Sequence, residues 1–338
     1  MIYFSFSKLN KLLNNLFKFN SNRKIKNSNY LTSKTKKYLI KKNEWNLKSD
    51  IKINNEYYFE KKIHFKNLYC DPYSGYFFTK FGYPIILEHH FTKKYISMYH
   101  NFLLPFFISK KKIKDGIYFG GHFMENYCHF LFYIYVPILI LPRSYTLVFD
   151  ARLLNQKFFR DFLNIIKNDR KYAIINKPTF FEKGLVYQKK YLGKKELDSL
   201  PDHLKKNLNK KYKVIYIKRQ SQFRNINPEN EKKIISILRK KYKKIKIINC
   251  QKLNFNKQIE IFSCANFIIG THGADFANMI FGLKNIKKIV EFSHPDFFTG
   301  VYTRISKIYK IQHEQILGIK SGKNNEFSIS LDHLKKII

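Results

Sequence analysis

The stretch Phe267-Ile-Ile-Gly-Thr-His-Gly-Ala274 decides how this chain is read. Phe267 to Ile269 is a run of large apolar residues, bounded by Gly270, and reads as a buried strand. Gly270 and Gly273 mark a turn, and Ala274 to Phe281 reads as a short helix. A strand, a glycine-containing turn and a helix N-terminus together make an anion site. The first N–H groups of the helix are unpaired there, and its dipole favours negative charge. Glycine at 270 and 273 is expected to let the backbone approach a phosphate closely.

The same alternation recurs on both sides of this stretch. Lys213 to Ile217 reads as a strand. Asn227 and Pro228 give an N-cap and a first-turn proline, followed by a helix with Ile234, Ile235 and Leu238 on one face. Ile245 to Asn249 is a strand, Gln258 to Ala265 a helix with Ile261, Phe262 and Ala265 inward, and Ile289 to Phe292 a strand. Strands alternating with helices imply a parallel sheet covered on both faces.

Upstream the pattern is less regular. Tyr57 to His100 suggests irregular strands, with turn signals at Asp71-Pro72 and Gly82-Tyr-Pro84. Phe123 to Leu141 follows Gly120-Gly121 and reads as a loop entering a buried helix. Tyr145 to Phe149 is a strand. Gln156 to Lys167 is a helix with Phe158, Phe159, Phe162, Ile165 and Ile166 on one face, and Thr179 to Tyr187 contains a strand. Leu192 to Leu208, with Pro201 inside, reads as the connection. The expectation is an α/β protein in three parts. These are a polar extension over 1–55, an α/β domain over 56–200 and a Rossmann-like domain over 201–338.

The 338 residues include 64 Lys and Arg against 24 Asp and Glu, a formal charge of +40. Charge alone allows a basic nucleic-acid-binding protein. The basic residues are nevertheless spread along the chain, from Lys24 to Lys42, Lys110 to Lys114, Lys205 to Lys213 and Lys240 to Lys246. Lys, Asn, Ile, Phe and Tyr also share A/T-rich codons. The charge is therefore read as compositional: no specific nucleic-acid partner is expected, while an anionic membrane surface or substrate would be attracted. No run of eighteen apolar residues occurs, and Phe130 to Leu141 is short and holds Pro137. Met1 to Phe19 lacks a compact apolar segment and a cleavage site, so a cytoplasmic location is expected, with peripheral contact at the inner face of the membrane open to it. Cys70, Cys128, Cys250 and Cys264 are too scattered to suggest zinc or a disulfide framework.

Ligands of open parallel sheets bind beyond the carboxyl ends of the strands. Three such ends carry functional residue types: Lys218-Arg219 with Arg224, then Gly270 to Ala274 with His272, then Glu291 near His294. Arg219 and Arg224 suit a diphosphate, and Glu291 suits ribose hydroxyls. The turn lacks the GxGxxG spacing of dehydrogenases.

These residues also resemble glycosyltransferase family 61. The resemblance rests on Ile215-Tyr-Ile-Lys-Arg219, Arg224, Asn227-Pro-Glu-Asn-Glu231, Gln258 to Ala265, Gly270-Thr-His-Gly-Ala274, Asn278-Met-Ile-Phe281 and Val290-Glu-Phe292. Upstream, Asn126-Tyr-Cys-His-Phe-Leu131 is similar to the family's Asn-Tyr-x-His-Phe/Trp-Leu motif. The resemblance implies a GT-B fold of two Rossmann-like domains facing a cleft, a UDP-sugar donor, inversion at the anomeric carbon and a glycan or polysaccharide acceptor. It places the donor at Arg219, Arg224, Gly270, His272, Gly273, Ala274, Asn278 and Glu291. His129 and Glu125 are the candidate general bases, and Asn126 and Tyr127 are acceptor-side or structural residues. No Asp-x-Asp occurs, which fits a diphosphate held by arginine and a helix start without a metal or other cofactor. Two positions depart from the family: Asp275 stands where a glycine is common, and Tyr133 where an acidic residue is common. An inactive family member is the alternative these departures raise.

Overall fold

The computed structural model describes residues 108–338 apart from 122–123, 190–191, 201–213, 222–223, 298 and 322–324. Upstream of these it describes the segments 37–40, 43–44, 54–55, 58–72, 75, 77–78 and 84–85. Most of the expected extension over 1–55, and the part of the connection around Pro201, lie outside the described residues. The chain forms two compact units, one centred on Glu56–Tyr191 and the other on Leu192–Ile338.

A mixed sheet carries the first unit. Its strands are β1 (Lys37–Ile40), β2 (Tyr58–Cys70), β3 (Phe77–Phe78), β4 (Pro84–Ile85), β5 (Lys112–Phe119), β6 (Thr146–Asp150), β7 (Tyr172–Ile175) and β8 (Thr179–Lys189). Their order is β4-β3-β2-β8-β5-β6-β7, with β1 paired to β2. Strand β8 joins two regimes. It runs antiparallel to β2, with Gly184 opposite Phe65, and parallel to β5, with Gly184 opposite Gly116. The parallel part continues through β6 and β7.

The strands expected around 145–149 and 179–187 are present. The region from Tyr57 holds the long strand β2 and the two-residue strands β3 and β4, with a turn at Asp71-Pro72 after β2. Strands β5 and β7 are not among those expected; β5 opens on polar residues, whereas β7, Tyr-Ala-Ile-Ile, is a short apolar run. The first half of β5, Lys-Ile-Lys-Asp, buries Ile113 alone, whereas its last four residues are all buried.

The segment after Gly121 is a helix with an interruption. Helix α1 (Tyr127–Phe130) passes through a π turn, Leu131–Tyr135, into α2 (Val136–Ile140). Pro137 has no N–H to give to the helical ladder, and the ladder widens immediately before it. Helix α3 (Lys157–Ile166) buries Phe159, Phe162, Leu163 and Ile166. Phe158 and Ile165, expected inward, are half-buried at the flank of that face. Phe158 packs there on Tyr127 and Phe130, with ring centroids 5.1 and 4.9 Å away. Phe130, Phe149, Phe159 and Phe162 form an aromatic cluster in which most contacts are edge-to-face.

The second unit is a parallel α/β layer structure. It comprises α4 (Lys194–Asp198), β9 (Val214–Ile217), α5 (Pro228–Lys241), β10 (Ile245–Ile248), α6 (Phe255–Ser263), β11 (Phe267–Thr271), a 3-10 helix (Ala274–Gly282), β12 (Lys288–Ser293), α7 (Val301–Ile308), β13 (Gln312–Leu317) and α8 (Leu331–Ile337). The sheet order is β10-β9-β11-β12-β13, every neighbouring pair parallel. The central strands of such sheets are buried on both faces and are therefore apolar. All four residues of β9 and all five of β11 are buried accordingly.

Helix α5 begins as its sequence dictates. The Asn227 side chain accepts from the N–H groups of Glu229 and Asn230, Pro228 opens the first turn, and acidic residues precede basic ones along its length. Asn230 then ties the C-terminal segment to this helix. Its amide donates to Ile329 O at 3.0 Å and accepts from Ile329 N–H at 2.8 Å.

Gly270 governs how closely β11 lies against β9. A Cβ there would sit 2.6 Å from the carbonyl oxygen of Ile217 and 2.8 Å from its Cβ. The missing side chain therefore serves the neighbouring strand, not the phosphate approach expected from the sequence. Gly270→Ala is expected to destabilise the unit by about 1–3 kcal/mol, as overpacked cores do. Urea denaturation of variant and parent measures this, and an unchanged midpoint would show that the two strands can separate freely.

Candidate active site

In the order β10-β9-β11-β12-β13 the chain turns outward in opposite directions from β9 and β11. A crevice at their carboxyl ends is where an open α/β sheet binds its ligand. Arg219 follows β9 and His272 follows β11, so the sheet brings together two residues 53 positions apart.

Arg219 is held from two sides. Its Nη1 donates to the carbonyl oxygen of His272, and its Nε donates to Ser221 Oγ at 3.1 Å. Gly273 makes room for it: a Cβ at that position would lie 2.5 Å from Arg219 Nη1. The glycine of the turn thus admits the guanidinium, and the Tyr302 hydroxyl fixes the same turn by donating to Gly273 O at 2.6 Å. Burial, and then the nearby Arg224, depress the pKa of Arg219, with Asp275 opposing them. Arginine remains charged throughout. Arg224 itself has a left-handed backbone, φ 61°, and its guanidinium lies 3.9 Å from the centroid of the Phe297 ring.

His272 sits on a buried carboxylate. Its Nδ1 contacts Glu291 Oε1, and the other carboxylate oxygen contacts His313 Nε2 at 2.9 Å. Strand alternation explains the grouping. Gly270 is paired with Glu291 and Ile289 with His313, so Gly270, His272, Glu291 and His313 share one face of the sheet. Burial raises the proton affinity of Glu291, but the hydrogen bonds from His272 and His313 outweigh it and bring its pKa down to about 2. The ring of His272 lies between Phe297 and Tyr302, with centroids 5.5 and 5.4 Å away.

Two expected ligand contacts are reassigned by these positions. Glu291 has no exposed surface, and both its oxygens are engaged by histidines. It anchors His272 where the sequence reading gave it to a ribose. Asn278 is also fully buried; its amide donates to Gln258 Oε1 at 2.8 Å and to Asp275 O at 3.0 Å. It pins the 3-10 helix to α6 and presents nothing to a ligand. Ala274 and Asp275 open that 3-10 helix beside Arg219. Burial pushes the carboxyl of Asp275 up to about 6, although Arg219 pulls it down.

The first unit holds the other expected residues. Asn126 caps α1, its Oδ1 accepting from Cys128 N–H at 2.9 Å and His129 N–H at 3.4 Å, and Tyr127 is buried against Phe130 and Phe158. Both therefore have structural work in this motif. His129 is half-buried, and its ring meets that of Tyr133 edge-on at 5.7 Å. Glu125 is exposed. It lies in the field of Arg152, whose guanidinium is lowered by burial and raised more by Asp150, with smaller contributions from Tyr118 and Glu125. Arg152 donates from Nε to Asp150 Oδ2 at 2.8 Å, and Asp150 is buried at the carboxyl end of β6.

Sequence reasoning missed Ser221, Phe297, Tyr302, Ser306 and His313. The last three belong to α7 and β13, which follow the last strand expected. Strand β13 begins Gln-His-Glu-Gln, and a polar edge strand gives no hydrophobic signal.

Asp275 gives a pH-dependent expectation. Its folded pKa, about 6, lies above the ordinary aspartate value of about 3.9, so the folded state holds this proton more tightly. The associated stability is complete below about pH 4 and is lost as pH rises through about 6. Asp275→Asn is expected to flatten the fall in melting temperature over that window. An equally steep profile in the variant would assign the pH dependence to other groups.

A protein-family model described as Glycosyltransferase 61 matches residues 121–290. The match takes in the Asn126 motif, Arg219, Arg224 and the Gly270–Ala274 turn; Glu291 lies one residue past it, and Tyr302, Ser306 and His313 fall outside. No curated protein matches the chain. Among the described residues no helix is long and apolar enough to cross a membrane. With half its length matched, and with the family's motifs meeting at the carboxyl edge of a parallel sheet, the chain belongs to glycosyltransferase family 61, and sugar transfer is the activity that membership implies.

Proposed function

We propose that the protein moves a sugar from a UDP-sugar to a hydroxyl of a glycan or polysaccharide acceptor, with inversion, in surface polysaccharide biosynthesis. The reading is of GT-B type, with the donor belonging to the second unit and the acceptor to the first, and with the enzyme working in the cytoplasm or at the inner face of the membrane. The observation that carries it is the seating of Arg219 on the His272-Gly273 turn, at the switch point of a parallel sheet.

In this mechanism the acceptor oxygen attacks C1 of the sugar as the bond from C1 to the diphosphate oxygen breaks. The electron pair leaves with UDP, and the hydroxyl proton passes to a base, for which His129 and Glu125 are the candidates. Arg219, Arg224 and the N–H groups at the start of the 3-10 helix meet the charge that develops on the diphosphate. No metal is required for that step in this scheme. Asp275 works against it when ionised, so an arriving diphosphate raises the pKa of this carboxyl further and binding couples to proton uptake.

A transfer-inactive member of the same family is the second reading. It is favoured by Tyr133, which packs against His129 where the family commonly has an acidic residue.

Thermal stability in the presence of UDP, GDP, CMP and their sugars, with and without divalent metal, tests the donor assignment. A ligand at 100 times its Kd stabilises the native state by about 2.7 kcal/mol. A selective rise with UDP, lost in Arg219→Ala, is expected. No rise with any nucleotide at millimolar concentration would overturn the transferase reading, and salt-sensitive binding to nucleic acid in its place would favour the charge-based alternative.

A further inference from the structure

Behind His272 lies a hydrogen-bonded chain whose far members, His313 and Ser306, belong neither to the family match nor to the sequence motifs. Ser306 Oγ is 2.8 Å from His313 Nδ1, His313 Nε2 is 2.9 Å from Glu291 Oε2, and Glu291 Oε1 contacts His272 Nδ1. Ser306 and Glu291 are completely buried, and the His313 side chain is 3% exposed.

The direction of each hydrogen bond follows from the carboxylate. An ionised carboxylate only accepts, so both imidazoles donate to it, His272 from Nδ1–H and His313 from Nε2–H. Neutral His313 then has a lone pair at Nδ1, which accepts the hydrogen bond donated by the Ser306 hydroxyl. Neutral His272 has its lone pair at Nε2, and that atom has no partner among the described residues. Every proton in the chain is placed, with one negative charge. The backbone of His272 is fixed independently, because its carbonyl receives Arg219 and its N–H donates to Phe292 O at 2.8 Å.

We propose that His313, backed by Ser306, is a positioning residue that holds His272 in the Nδ1–H tautomer, so that His272 Nε2 is the proton-accepting atom presented to a phosphate oxygen beside Arg219. The inference rests on the donor reading above for the identity of the anion. As the diphosphate binds, Nε2 takes one proton from solvent, and the resulting imidazolium donates that N–H to a phosphate oxygen. The Glu291 carboxylate beneath it balances the new positive charge. Without His313 the carboxylate loses a donor and is no longer obliged to stay ionised. A protonated Glu291 can then donate to Nδ1, which releases the opposite tautomer of His272.

The test is nitrogen NMR of the full-length protein labelled with ¹⁵N-histidine, with the His272 signals assigned by their loss in His272→Gln. The same samples are melted with and without UDP. The expected result is one Nδ1-protonated form of His272 in the parent, a mixture in His313→Leu, and UDP binding weakened about tenfold, as for a lost hydrogen bond to a charged group. His313→Gln, whose amide N–H reaches the position of Nε2, is expected to restore both the single tautomer and the UDP response. Ser306→Ala, a smaller change, is expected to shift the tautomer ratio in the same direction as His313→Leu. A folded His313→Leu with unchanged His272 signals overturns the proposal, and so does a parent protein in which His272 is protonated at Nε2. Absence of any UDP response in a parent with the expected tautomer instead removes the donor reading and leaves the positioning role of His313 standing.

Discussion

A carboxylate with no access to water has to be satisfied by donors, and Glu291 imposes that demand at the centre of the second sheet. It stands on a row with Gly270 and with Ile217, the last residue of β9. Its two oxygens organise two histidines, one at the edge of the crevice and one behind it. Removing water from a charged pair costs several kcal/mol unless geometry and further hydrogen bonds offset it. Ser306 supplies the further bond here. The orientation of the His272 ring depends on this buried arrangement, while its backbone is held separately by Arg219 and by Phe292.

The basic residues around that seat illustrate why net charge says little about function. Arg219 and Arg224 are defined by what surrounds them, a carbonyl and a hydroxyl for the first and an aromatic face for the second. Other cations among the described residues are set differently. Pairs such as Lys232 with Glu229 or Lys335 with Asp332 have both partners exposed and span a single helical turn. Pairs of that kind contribute little. Asp275 is the counterweight. It adds a carboxyl where an anion is to bind, and partial burial leaves that carboxyl only weakly acidic.

The first unit solves a different problem, the packing of many aromatic rings against a sheet that changes from antiparallel to parallel at β8. Its motif residues are drawn into that packing. Asn126 caps a helix and Tyr127 enters the aromatic cluster. The π turn that follows displaces the ladder just where Tyr133 meets His129. A periodicity of 3.6 placed Phe158 and Ile165 on the inner face of α3. They lie at its flank instead, because the sheet beneath accepts Leu163 and Phe158 finds rings beside the helix.

The sequence by itself determined the alternation of strands and helices after residue 213, the Asn227-Pro228 cap, and the presence of Arg219, Arg224 and His272 at strand ends. These are local matters of hydrophobic period, capping chemistry and glycine placement, and a local window contains them. Tertiary structure decided what each residue does there. Gly270 and Gly273 are glycines because a neighbouring strand and an arginine occupy the space of their side chains. Glu291 and Asn278 are buried anchors because partners from distant segments close over them. His313, in a polar edge strand without a motif, joined the site solely through its register with Ile289. Burial and register are properties of the assembled sheet, and no local stretch of the chain encodes either one alone.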